Sequence, residues 1–194
     1  QNDALQQVLM RMGHEVETLT LQETPSRRSL YGELYCFASS VYHFLRGHIK
    51  WGCICWLYNT RARNRRAIIN DFRREFTDKY ITRSPSLDTR ERLKEYCEER
   101  HFDAYVVGSD QTWRPRYNGG KLLWNFLSFL PSDSRARRIA YAASFGTDEW
   151  EFTPEQTAIC ASLARKFDAI SVRESSGVDL CREYLGVEAR HLLD

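Results

Sequence analysis

Three short stretches hold side chains that can do chemistry. The first is "GSDQTW", Gly108–Trp113. Gly108 allows close backbone approach or a positive φ. Ser109 and Gln111 can donate and accept hydrogen bonds. Asp110 can orient a hydroxyl or take its proton, and Trp113 can stack on a sugar face. The same Asp can instead cap a backbone amide in an ordinary turn, and position does not separate the two readings. The second stretch is "SFGTDEW", where Ser144, Phe145 and Gly146 follow small residues that let a ligand, or merely a packed helix, come near the backbone. The third is "RESSG". Arg173 can make a charge-assisted contact, and Glu174 and Ser176 stand where a helix starts, whose free amides suit an anion. A plain Ser cap beside a surface Arg–Glu pair is the competing reading.

These stretches acquire meaning from the elements before them. "FDAYVVG", "RRIAYAASFG" and "DAISVRE" are apolar runs that read as strands buried on both faces. Helices alternate with them. "DTRERLKEYCEER" carries a stripe of Leu93, Tyr96 and Cys97 with Asp88 or Thr89 as cap. "FTPEQTAICASLARKF" opens with Thr153, Pro154 and Gln156, the signature of a capping box. "SSGVDLCREYLG" ends at Gly186, and "ARHLLD" begins a fourth strand. Strand–helix alternation predicts an α/β fold, a Rossmann-like parallel sheet with helices on both faces. In such sheets ligands bind beyond the carboxyl ends of the strands. That rule puts all three stretches on one edge.

Upstream, Leu5, Val8, Leu9 and Met12 follow helical spacing up to Gly13, and "HEVETLTL" reads as a strand. A strand is expected before the first helix and is absent from the sequence. Residues 22–87 read as a helical insertion on a single domain, 1–194. "LYCFASSVYHFL" is its aromatic part. In "RARNRRAIINDFRREF", Ile68, Ile69, Phe72 and Phe76 share one face while Arg63, Arg66 and Arg74 point away. The segment 112–137 reads as loop-rich.

Bulk properties narrow the function classes. A chain of 194 residues, 42% hydrophobic and 28% charged, has the composition of a globular protein. A net charge of +2 gives no reason to expect nucleic-acid binding. No segment approaches the roughly 18 apolar residues of a membrane span, and no signal peptide is visible. Cys97, Cys160 and Cys181 sit in helical apolar patterns and read as buried thiols. With no CxxC pair, the six cysteines point to a reduced, cytoplasmic setting. His48, Cys53 and Cys55 lack the spacing of a metal site, so no metal is expected. GxSxG, GxxxxGK[ST] and GxGxxG do not occur.

The wording of the chain adds a resemblance. "DAYVVGSDQTWRP", "RIAYAASFGTDEW" and "FDAISVRESSGVDLCREYLGVEARHLLD", in that order, resemble the polysaccharide pyruvyl transferase family, and "QNDALQQVLMRMGHEVETL" is similar to its first helix. Asp3 departs from the family pattern, which has an aromatic there. The resemblance covers residues 1–21 and 88–194. It implies a glycosyltransferase-B-like fold of two Rossmann-like halves, of which this chain is the amino-terminal one, with a carboxyl-terminal domain beyond residue 194. It also implies transfer of the enolpyruvyl group of phosphoenolpyruvate to a sugar hydroxyl of a bacterial cell-envelope polysaccharide or its lipid-linked precursor. No cofactor is implied. The partners would be a sugar acceptor, phosphoenolpyruvate held mostly by the other half, and a membrane surface touched through a lipid-linked substrate; oligomerisation stays open. Asp110 would be the catalytic or acceptor-orienting residue. Gly108, Ser109, Gln111, Trp113, Ser144, Phe145, Gly146, Arg173, Glu174 and Ser176 would shape the substrate site. A nucleotide-sugar enzyme and a non-catalytic binding module, with the aromatics of 30–58 as a partner surface, are the alternatives.

Overall fold

A computed structural model describes residues 2–21, 42, 46, 69, 71–72 and 75–193. The chain divides into two compact units, Asn2–Asp88 and one formed essentially by Thr89–Asp194.

In the first unit, helix α1 (Asn2–Arg11) precedes strand β1 (Thr18–Thr20), which pairs in parallel with β2 (Arg83–Ser86). The strand read over "HEVETLTL" is thus only three residues long. β2 was not foreseen: it lies at the end of the stretch read as helical, and "RSPS" has little strand propensity. Tertiary hydrogen bonds make it a strand. The amide of Gln6, 1% exposed, donates to Thr18 Oγ1 and to the Thr82 carbonyl and accepts from the Thr82 N–H. Ser84 Oγ accepts from the Thr20 N–H. Pro85 has no N–H to offer, and the pairing shifts register in this stretch.

The helix expected over 61–76 is seen at residues 69, 71–72 and 75–80. Ile69, Phe72 and Phe76 are exposed there rather than packed. The aromatic stretch 30–58, apart from Tyr42 and Arg46, and the residues His48, Cys53, Cys55, Arg63, Arg66, Ile68 and Arg74 lie outside the described residues.

The second unit is α/β with parallel pairing throughout. Its elements are α2 (Arg90–Arg100), β3 (Ala104–Val107), α3 (Pro115–Asn118), a 3₁₀ segment (Gly119–Phe126), β4 (Arg137–Ala143), α4 (Pro154–Ala164), β5 (Ala169–Val172), α5 (Ser175–Leu180) and β6 (Arg190–His191). The strands lie in the order β3-β4-β5-β6. Local chemistry sets the helix ends. Thr89 Oγ1 accepts from the Arg92 N–H, and Thr153 with Gln156 forms the expected capping box. Helix α5 runs on as a π turn to Leu185, and Gly186 closes it in the left-handed region. The segment 112–137, read as loop-rich, also carries α3 and the 3₁₀ turns.

Strand β3 alternates in burial. Tyr105 and Val107 face inward while Val106 is 39% exposed, so this strand is not buried on both sides. The core gathers around Trp113, Phe126, Phe145, Phe152, Ile170, Val172, Leu180 and Leu185. Cys97, Cys160 and Cys181 are buried thiols outside any disulfide. Burial pushes Cys160 and Cys181 up to about 12.

The end of β4 is irregular. Ala142 is fully buried at φ 45°, a region that costs a non-glycine residue about 1–2 kcal/mol. Its N–H finds its partner in Ser171 Oγ on β5, at 2.9 Å, and that hydroxyl donates to the Ala140 carbonyl at 3.1 Å. The side chain thus bridges the break where the pairing between β4 and β5 shifts register. Among the described residues, no helix is long and apolar enough to cross a membrane.

Candidate active site

The carboxyl ends of β3, β4 and β5 lie side by side in the parallel sheet, so the three polar stretches do share one edge. Their residues take unequal roles there.

The loop after β3 is held almost entirely by its backbone. Gly108, at φ 148°, lies against β4: a Cβ at this position would stand 1.8 Å from the Tyr141 carbonyl oxygen. Only glycine fits. Beyond it the loop runs along the end of β4. Ser144 N–H donates to the Asp110 carbonyl, and Trp113 N–H donates to the Ser144 carbonyl, both at 3.2 Å.

Arg173 braces the loop from β5. Its guanidinium donates to the Ser109 carbonyl at 3.3 Å and to Ser144 Oγ at 3.1 Å. Ser144 Oγ in turn donates to Glu174 and accepts from the Gly146 N–H. Ser144, Arg173 and Glu174, read from the sequence as substrate contacts, are brought together as expected. Their hydrogen bonds, however, run inward to the loop and to each other. Ser144 is fully buried, so its role is to join the strand ends. Ser176 sits half-buried in the first turn of α5.

A second brace is Arg114, which the sequence reading passed over. Its guanidinium makes two 2.9 Å hydrogen bonds to the Glu151 carboxylate and a third, at 3.1 Å, to the Gly146 carbonyl. This hydrogen bonding holds the Glu151 carboxyl below the usual carboxylate range and raises Arg114. Gly146, at φ 66°, is packed by Gln111: a Cβ would stand 2.5 Å from the Gln111 Cδ.

A third set of bonds comes from two asparagines. Asn118 Nδ2 donates to the carbonyls of Gln111 and Arg114. Asn125 Nδ2 donates to the Thr112 carbonyl and to Asn118 Oδ1. No sequence motif marks this pair; both lie in the stretch read as loop-rich.

Trp113 corrects an expectation. Its indole is 0% exposed. One face stacks on Phe126 with centroids 4.7 Å apart, Phe145 and Phe167 meet it edge-on, and its Nε1–H donates to the Asn125 carbonyl. No face is left for a sugar. Phe145, 2% exposed, belongs to the same cluster. Trp113 is covered by Phe126 from the chain after the loop, and Phe145 by Trp113, Trp150 and Phe152.

Asp110 remains. Its side chain is exposed, and one oxygen accepts the Gln111 N–H at 2.8 Å, which is the turn-capping role weighed for it. Among the described residues it has no ion-pair partner. It lines an open pocket of about 490 Å³ with Gln111, Thr112, Tyr117 and Asn118. That volume lies within the range of about 300–1,000 Å³ usual for small-ligand sites. The arrangement is an exposed carboxylate on a rigid loop, beside amide and phenol groups. Such a set can orient a polyhydroxylated ligand and accept a proton from it. Among the described residues no three His, Cys, Asp or Glu side chains cluster closely enough to hold a metal ion.

Comparison with models of known protein families matches residues 1–194 to "Polysaccharide pyruvyl transferase". Neither the curated proteins nor the solved structures give a match. The family match spans the fold, the braced loop and the pocket alike, and the chain belongs to the polysaccharide pyruvyl transferase family.

Proposed function

We propose that this chain forms the acceptor side of an enzyme that moves the enolpyruvyl group of phosphoenolpyruvate onto a sugar of a cell-envelope polysaccharide or its lipid-linked precursor. In this reading the sheet is one half of a two-domain, glycosyltransferase-B-like fold working at the cytoplasmic face of a membrane. The observation that carries it is the exposed Asp110 carboxylate at the carboxyl end of β3, over a pocket, on a loop with braces from β4, β5 and the asparagine pair. Family membership supports the chemistry.

The reaction follows from the donor. The methylene carbon of phosphoenolpyruvate takes a proton from solvent as the C=C bond opens, which leaves an oxocarbenium-like carbon. A sugar hydroxyl bonds to that carbon and gives its proton to Asp110, which returns it to solvent. A second hydroxyl of the same sugar then displaces phosphate, its proton leaving with the phosphate, and closes a cyclic pyruvate ketal. A rigid carboxylate assists twice, as base toward the hydroxyl and as negative charge near the cationic carbon.

The test is donor choice. The full-length protein is incubated with phosphoenolpyruvate and candidate sugars, and phosphate release and ketal formation are followed. Sugar-dependent phosphate release is expected. Turnover of a nucleotide sugar, with phosphoenolpyruvate inert, would replace this reading by that of a glycosyltransferase.

A further inference from the structure

Burial of Trp113 leaves the site without the aromatic face that a sugar acceptor calls for. A pyranose ring carries a patch of C–H bonds on one face, and the negative face of an aromatic ring complements it. The aromatic that lines the Asp110 pocket is Tyr117, and its side chain is 65% exposed.

Tyr117 has a fixed neighbour. The Arg114 guanidinium lies over its ring, 5.0 Å from the centroid, in a cation–π contact. Arg114 is itself fixed by Glu151 and the Gly146 carbonyl. The next residue, Asn118, donates to the Gln111 and Arg114 carbonyls, so the turn that carries Tyr117 is hydrogen-bonded to the loop that carries Asp110.

We infer that Tyr117 is the stacking platform of the acceptor: it takes the C–H face of a pyranose while Asp110, in the same pocket, meets the hydroxyl that reacts. This rests on the sugar-acceptor reading above and adds to it the residue that binds the ring.

The test uses the full-length protein and saturation-transfer NMR with methyl β-D-glucopyranoside, methyl β-D-galactopyranoside, methyl β-D-mannopyranoside and their 2-acetamido counterparts. At least one glycoside is expected to receive saturation on the protons of one ring face. Y117A should weaken that binding about tenfold or more, while Y117F and Y117W retain it. Thermal midpoints shared by wild type and Y117A would exclude unfolding as the cause. In turnover, Y117A should raise KM for the sugar and leave KM for phosphoenolpyruvate unchanged. Equal glycoside binding by Y117A and wild type would overturn the inference, as would no binding of any glycoside by wild type. Glycoside binding through Tyr117 without phosphate release would leave the inference standing and remove phosphoenolpyruvate as donor.

Discussion

Gly108 lies so close to Tyr141 that a Cβ at position 108 would stand 1.8 Å from the Tyr141 carbonyl oxygen. Backbone cannot yield as a side chain can, and φ is 148° there, so G108A is expected to cost about 3 kcal/mol or more. Gly146 is the useful contrast. The atoms a Cβ would meet there belong to the movable end of Gln111, so G146A should cost only about 1–2 kcal/mol, mainly for its positive φ. It should still displace Gln111 from the pocket and lower turnover. Urea midpoints at constant m separate the two variants.

Trp113 should behave as a core residue. W113A removes a fully buried side chain stacked on Phe126 and is expected to lower stability by about 3–5 kcal/mol. Chemical denaturation measures this loss. A W113A protein of wild-type stability with impaired sugar binding would contradict the packing described here.

The alternation of strands and helices could be read from the sequence because its signals are local. Apolar runs such as "YVV" and caps such as Thr153 with Gln156 depend on a few adjacent residues. The gathering of three strand ends on one edge followed from parallel topology alone. What escaped detection depends on distant partners. Arg114 meets Glu151 across 37 residues, and nothing near either marks the pairing. Trp113 is buried by chain that follows it, which reversed its expected role. β2 exists because Gln6 and Thr20 hydrogen-bond to its neighbourhood from far upstream. At the site, residue types were legible, but which of them face outward was not: Arg173, Glu174 and Ser144 bond to the loop and to each other, whereas the exposed Asp110 carboxylate accepts the Gln111 N–H.

Acid should unfold the protein partly through two depressed carboxylates. Hydrogen bonds from Arg114 lower Glu151, and the Arg138 N–H with Arg137 lowers Asp168. A carboxylate with a folded pKa below its unfolded one contributes stability that is fully present above the unfolded value, about 4. That contribution is lost as pH falls through the folded value. E151Q and D168N should therefore be less stable than wild type at pH 7, and the gap should close below about pH 4. Thermal midpoints measured across this range check the sign: a gap that widens in acid would contradict it.

The most direct test of the central claim is D110N in the full-length protein, with phosphoenolpyruvate and an accepted sugar as substrates. The Asp110 carboxylate projects from a loop held mainly by its backbone, and among the described residues it bonds the adjacent Gln111 N–H alone, so the amide should leave the fold intact. D110N should lower kcat/KM by about 10²–10⁴-fold, as for loss of a general base, with the thermal midpoint unchanged. Wild-type transfer by a folded D110N protein would contradict it.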